Sequence, residues 1–540
     1  MPAPLSTPPV PRGLVRRHRE AGHWRDTTVL DDLRDQLDSA PDRTVLVDRS
    51  GPERDEVSVA ELARRIQRCA EALRALGVGR GEAVGYQLGN RWETVALFHA
   101  CARIGAVAVP LALSLGAAEV EHRLALTGAV AVIADGDEAA RALAGVAPRL
   151  EALRTAHALD APAGDLADLA AVLPDAPAAD LATPDAAEAG PDDLAVVLFT
   201  SGTTGRSKAV LHTANTLWAA TRGMLGGVLA GATARPRVLT PSVATHVIGI
   251  MTSALGPIVL GTSTVLTPAP PPEELLALLD DERVTHLLVG PTGLDSLLDA
   301  LAPGRTPPRD LEVVALGGAP IAEPVLAKTD RLPVTYRTHW GMTEVPAGGV
   351  SSADDDARTS WHTLGHAPPG LERQLADVAG TVGEVVVRGP QVTVGVLRGE
   401  DGSPAWTPEA DDGWFRTGDL AEVDAAGELA FVDRGSDKIK GASGMLIPTA
   451  DVEDLIVSHP DVSEAVLVGH HPGDGQEEVP AAVVVPADGC HPELDAIRRH
   501  LLDRGTTDWY LPEHLVLVDA LARDAQGKVD KRALRARLDG

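Results

Sequence analysis

Residues 197 to 212 read Val-Leu-Phe-Thr-Ser-Gly-Thr-Thr-Gly-Arg-Ser-Lys-Ala-Val-Leu-His, which is chemistry for holding a phosphate chain. Thr200, Ser201, Thr203 and Thr204 supply hydroxyl donors, and Gly202 and Gly205 let backbone amides approach an anion closely. Lys208 adds a cation. The apolar run from Leu194 to Phe199 launches this turn as a buried strand. The spacing departs from the Walker pattern, because Lys208 is followed by Ala209 and leaves no hydroxyl there for magnesium. A P-loop nucleotide hydrolase is disfavoured on that ground.

Further stretches fall in a fixed order behind the turn. Gly317-Gly318-Ala319-Pro320 follows an apolar run ending at Leu316, and Thr338-His339-Trp340-Gly341-Met342-Thr343-Glu344 comes next. Gly383-Glu384 with Gly389-Pro390, and then Gly413 to Asp419, precede Asp433 to Lys440, Gly444 and Ile447. Gln526-Gly527-Lys528-Val529 lies near the end. Each has a plain structural reading when taken alone. An aromatic beside glycine is packing, a Thr-Glu pair opens a helix, and Gly-Asp makes a turn. A lone histidine such as His246 in an apolar run is a satisfied core residue, and Lys528 is a solvated tail lysine.

Taken together and in this order, these stretches resemble the adenylate-forming superfamily of acyl-CoA synthetases, peptide-synthetase adenylation domains and luciferases. The resemblance runs from Gly22-His23-Trp24 and Val57 to Leu62, through Gly105-Ala106-Val107 and Pro110, to Lys528. It implies that Thr200 to Lys208 hold the β- and γ-phosphates of ATP. It also implies that Trp340 sandwiches the adenine with Gly318 and Ala319, in an ATP-binding set that includes Pro320, His339, Gly341 and Met342. Asp419 and Arg434 are implied for the ribose, Thr343 for the α-phosphate and Glu344 for Mg²⁺. Lys528, His246 and Thr343 are the candidate catalytic residues, and Asp437 is the candidate hinge of a mobile lid. His246, Val247, Gly249 and Gly341 are the candidate acid-binding residues.

The implied chemistry is attack of a carboxylate on the α-phosphorus of ATP, giving an acyl-adenylate and pyrophosphate. Lys528, Lys208 and Mg²⁺ would offset the charge that builds up there. In a second step the lid would turn about Asp437, withdraw Lys528 and admit a thiol near Gly444. Ser207, Ala209, Ser436, Ala522 and Asp524 depart from the family pattern, and the last three bear on thiolation more than on adenylation. Transfer to CoA is the first expectation; a stand-alone acyl-AMP ligase serving a carrier protein or partner enzyme is the alternative. The chain ends soon after Lys528 with no carrier segment, so the acceptor is expected to be external. No aspartate for an α-ammonium occurs between Pro241 and Gly249, and Val247 stands where catechol-type ligases carry asparagine, so an apolar acid without an amino group is expected.

These residues must be positioned by a layered fold. Helical spacing at Leu62, Ile66, Cys69, Leu73 and Leu76 begins an alternation of helices and short apolar strands, and such alternation builds a parallel sheet covered by helices. It resumes after the phosphate turn at Arg237 to Thr240, Ser263 to Leu266, Thr285 to Val289 and Glu312 to Leu316. Beyond Val350 the runs shorten to small antiparallel strands. The fold class is α/β. Residues 1–436 form a large N-terminal domain of two helix-covered sheet subdomains plus a small β-barrel-like subdomain, and 437–540 a small α+β lid domain. Residues 160 to 195, rich in Ala, Asp and Pro, are expected as a variable surface segment.

With 540 residues and 44% hydrophobic content, the chain fills several such cores. A net charge of -29 argues against nucleic acid or an anionic membrane as the partner. Cys69, Cys101 and Cys490 fit neither a disulfide framework nor zinc, and a reducing cytoplasm suits them. The proline-rich start lacks an apolar segment after Arg16 and Arg17, so it is not an export signal, and no run is long enough to insert into a membrane. Association as a homodimer is left open.

Overall fold

The structure is a computed structural model that describes all residues except 1–4, 9, 160–165, 170–172, 175–179, 201–207, 233–234, 242–243, 302–304, 319–322, 353–354, 356–360, 362, 380–381, 399–402, 406–412, 424–426, 435–438, 440–446, 448, 473–477, 523–528, 530 and 539–540. The apolar stripe on helix Val59–Ala75 is buried at Leu62, Ile66, Cys69 and Leu73. The residues just before it are not helical. Asp55–Ser58 pairs as a strand with Thr44–Asp48, and the Ser58 hydroxyl then caps the helix by accepting from the Glu61 amide at 3.2 Å.

The first large sheet has nine strands among the described residues. Ala83–Gln87 lies between Val107–Leu111 and Ala131–Ala134, parallel to both, and Leu194–Thr200 and Lys208–Thr213 continue the sheet beyond Val107–Leu111. The second has eight strands, in which His286–Val289, Val313–Gly317 and Thr335–Met342 run parallel and Val345–Val350 turns back on the last. Apolar clusters cover both faces of this second sheet, with Leu279, Leu294, Leu297 and Val314 on one side and Met224, Met251, Ala315 and Val350 on the other. The carboxyl ends of Val313–Gly317 and Thr335–Met342 therefore meet at one edge, which is where open α/β sheets bind ligands.

The stretch following His246 is not a plain helix. Val247–Gly249 is α-helical, Ile250–Leu255 is wound as a π-helix, and Gly256–Val259 is again α-helical. Pro257 has no amide to donate to Ser253, and the hydroxyls of Thr252 and Ser253 bond back to the carbonyls of Ile248 at 2.9 Å and Gly249 at 2.5 Å. These are the conditions that wind a helix out of register.

The small β subdomain is a four-stranded sheet of Glu372–Ala379, Val382–Arg388, Phe415–Val423 and Leu429–Arg434, closed over Val345, Leu364, Val385 and Val387. The C-terminal module has a three-stranded sheet, Val462–His470, Val479–Pro486 and His514–Leu517. Ile456, Ile497 and Leu501 from two helices pack on one face and Leu534 from Lys531–Leu538 on the other. By packing, the chain divides into two compact units, one of Met1–Leu113, Leu124–Leu198 and Ala209–Val432, the other of Ser114–Arg123, Phe199–Lys208 and Asp433–Gly540.

The second half of the surface segment expected over 160 to 195 stays largely at the surface and is also tied down by ion pairs. Glu188 pairs with Arg34 and with the buried Arg103, Asp185 with Arg74 and Asp193 with Arg80, while Leu181 and Ala189 are buried. Low periodicity concealed a strap held by charge pairs. No described helix is long and apolar enough to cross a membrane.

Candidate active site

Asp419 owes its position to the glycine before it. Gly418 has φ +73°, a left-handed backbone favoured by glycine, in the strand Phe415–Val423 where its register with Val382–Arg388 shifts between Glu384 and Val386. The Thr417 hydroxyl donates to the Val385 carbonyl at 2.7 Å and accepts from the Asp419 amide at 3.1 Å. The Gly418 amide donates to Glu384 Oε1 at 3.0 Å. Asp419 is thereby held almost wholly buried, and its Oδ2 accepts from the indole Nε1 of Trp340 at 2.9 Å. The Trp340 ring lies against Gly348, where a Cβ would come within 2.3 Å of it. An aromatic face and a buried carboxylate, widely separated in sequence, thus form one seat.

Thr343 and Glu344 occupy the tip of a hairpin between Thr335–Met342 and Val345–Val350, with Met342 opposite Val345. The plain reading of this pair as a helix start is therefore wrong. Hairpin tips are usually solvated, yet both residues are buried. The Thr343 carbonyl accepts from His212 Nε2 at 2.8 Å, and the Glu344 carbonyl accepts from the Thr393 amide at 2.8 Å. Both carbonyls are satisfied by these bonds rather than by the side chains. Among the described residues the Glu344 carboxylate has no hydrogen-bond or ion-pair partner. That suits a cation completed by phosphate oxygens and water, as Mg²⁺ is usually held, and no cluster of three metal-ligating residues occurs among the described residues.

His212 was not singled out from the sequence. It is fully buried, with Nδ1 3.1 Å from Thr216 Oγ1, and burial pushes its pKa down to about 4, so it is neutral and fit to bridge the strand Lys208–Thr213 to the Thr343 peptide. Its position four residues after Lys208, within the strand that leaves the phosphate turn, is the available signal.

His246 stands at the N-terminus of Val247–Gly249, and Val247 and Gly249 are buried behind it. Its side chain is reached by solvent, yet the protein mass around it disfavours its charged form and lowers its pKa. His339 ends on the opposite side of its strand from Trp340, with its ring over Gly317. Gly341 sits against the carbonyls of Val345 and Pro346, and Met342 packs beside the small β subdomain's core. Gly318 has φ +89°, and a Cβ built on it would meet no described atom within 4 Å. Thr200 closes Leu194–Thr200, Lys208 opens Lys208–Thr213, and Arg434 closes Leu429–Arg434. Ser201, Gly202, Thr203, Thr204, Gly205, Ala319, Pro320, Asp437 and Lys528 lie outside the described residues.

Comparison with known proteins agrees with this geometry. Residues 33–397 match the AMP-binding enzyme family, and residues 451–528 match the AMP-binding enzyme C-terminal domain. A feruloyl-CoA synthase from an Amycolatopsis species is 31% identical over 500 residues, covering 89% of this chain and 94% of that protein. The medium-chain fatty-acid–CoA ligase of Escherichia coli K12 is 28% identical over 536 residues, covering 96% and 92%. Among solved structures, the amide bond synthetase McbA from Marinactinospora thermotolerans superposes with a TM-score of 0.80 at 26% identity, covering 95% of this chain and all of that one. The chain belongs to the AMP-binding enzyme family and is an adenylate-forming ligase of the acyl-CoA synthetase type.

Proposed function

We propose that this enzyme activates an apolar carboxylic acid with ATP and passes the acyl group to CoA. The observation that carries the reading is the bond from Trp340 Nε1 to Asp419 Oδ2, which joins a stacking surface for adenine to an acceptor-only carboxylate suited to the two ribose hydroxyls. Thr343 then faces the α-phosphate, and the turn from Thr200 to Lys208 takes the phosphates that depart. Glu344 would hold Mg²⁺ against the phosphate oxygens, where the ion lowers the charge repulsion between ATP and the acid. The acid lies along the segment from His246, with Val247, Gly249 and Gly341 around it.

In the first step a carboxylate oxygen bonds to the α-phosphorus, and the bond from that phosphorus to the bridging oxygen of pyrophosphate breaks. Lys528 meets the charge as it develops. In the second, the thiolate of CoA bonds to the acyl carbon and AMP leaves. Residues 437–540 act as the lid over the core 1–436 and turn about Asp437 between the steps.

The thiol step is tested by supplying ATP, Mg²⁺ and an accepted acid with and without CoA, and reading acyl-AMP and acyl-CoA by mass. Acyl-CoA should form at the expense of acyl-AMP when CoA is present. Acyl-AMP that persists with CoA but discharges onto an added carrier protein would overturn CoA as acceptor.

A further inference from the structure

The turn between the strand Ala83–Gln87 and the helix Trp92–Ile104 leaves the first large sheet and is fastened to the second. The Trp92 amide donates at 2.7 Å to Oδ2 of Asp48, which ends the strand Thr44–Asp48 and stands opposite Leu266 of the neighbouring strand Ser263–Leu266. Asn90 Nδ2 donates at 3.1 Å to the carbonyl of Thr267, the next residue along. Within the turn the Thr94 hydroxyl donates to the Gly89 carbonyl at 2.6 Å. Asn90 is buried at a point braced by both sheets.

The other end of the same side-chain amide reaches a third element. Asn90 Oδ1 accepts from the Ala244 amide at 2.5 Å, and Ala244 and Thr245 are both buried. Ala244 lies in no helix or strand, so no regular backbone ladder holds it. His246 follows two residues later. The far end of this stretch is tied to the same scaffold, because the Thr264 hydroxyl donates to the Thr252 carbonyl at 2.7 Å and His99 Nε2, from the helix Trp92–Ile104, lies 3.0 Å from the Ala254 carbonyl. His246, Val247 and Gly249 sit between these anchors.

We infer that Asn90 is a positioning residue for the carboxylic acid, acting through the backbone of Ala244 to fix the place of His246 before the acid arrives. The inference rests on the reading that the acid lies along the segment from His246. A segment already held in place costs the acid no ordering when it binds, whereas a loose one must be ordered from the acid's own binding energy. Loss of the tether therefore acts on the KM for the acid and leaves the nucleotide seat at Trp340 and Asp419 untouched.

The test is acid-dependent exchange of pyrophosphate into ATP by Asn90→Leu, Asn90→Ala, Asn90→Asp and His246→Ala. Leucine keeps the volume and removes both bonds. It and alanine should raise the KM for the acid by about tenfold, with the KM for ATP within about twofold of wild type. Aspartate keeps an acceptor for the Ala244 amide and should recover part of that loss. The inference is overturned by an unchanged KM for the acid in Asn90→Leu or Asn90→Ala, by a KM for ATP that rises in step with it, or by an Asn90→Asp enzyme no better than Asn90→Leu. Failure of both Asn90→Leu and Asn90→Ala to fold overturns it too, since the residue would then serve the fold and not the acid. An unchanged KM for the acid in His246→Ala would remove the acid from this segment, and the inference with it; a rise there without one in the Asn90 variants would remove the inference alone.

Discussion

Replacing Lys528 by alanine should lower acid-dependent exchange of pyrophosphate into ATP by about 10²–10³-fold, with little change in the KM for ATP. Two anions must approach one another for the carboxylate to reach the α-phosphorus, and the negative charge there peaks in the transition state. A cation placed for that moment acts on kcat and contributes little to ground-state binding. The effect should be confined to the first step. Synthetic acyl-AMP supplied with CoA should still give acyl-CoA at near wild-type rates in Lys528→Ala, because the lysine is withdrawn when the thiol attacks. An exchange rate left undiminished would remove Lys528 from the chemistry.

Asp419→Asn should act on binding instead. The carboxylate is buried, held from its own backbone by Thr417, and receives the Trp340 indole on Oδ2, so the substituted amide stays in place but presents a donor where the nucleotide offers donors too. Losing one partner of a buried, charge-assisted pair costs about 2–5 kcal/mol, and the KM for ATP should rise by at least about tenfold while the KM for the acid moves little. Trp340→Phe keeps an aromatic face and removes only the bond to Asp419. It should raise the KM for ATP less than Asp419→Asn does, and the double variant should fall short of the sum, because both changes act on one seat. An unchanged KM for ATP in Asp419→Asn would take the ribose away from this carboxylate.

Much of the scaffold was legible in local pattern. The strand Ser263–Leu266 has the expected bounds, and the strands Arg237–Leu239, His286–Val289 and Val313–Gly317 fall within one residue of theirs. These are elements whose burial is set by spacing along the chain. What escaped depends on contacts between distant residues. The segment ending at Asp193 pairs with arginines more than a hundred residues away, such as Arg80 and Arg74, and composition alone shows only a variable surface segment. Thr343 and Glu344 read locally as a helix start, and only the pairing of Met342 with Val345 and the bonds from His212 and Thr393 make them a buried hairpin tip. The π-helical turn at Ile250–Leu255 follows from one missing amide and two hydroxyls, a combination that hydrophobic spacing does not register. At the site, Trp340 and Asp419 were each assigned by resemblance to a different part of the nucleotide, and the direct bond between them is a feature of the folded chain.

The reaction proposed for this enzyme begins with activation of the acid as an adenylate. Single-turnover mixing of enzyme with ATP, Mg²⁺ and an accepted acid, without any thiol, tests it directly when the quenched products are separated. Acyl-AMP and pyrophosphate should appear in equal amounts, formed only when the acid is present. Release of ADP and phosphate, or pyrophosphate formed equally without acid, would contradict it.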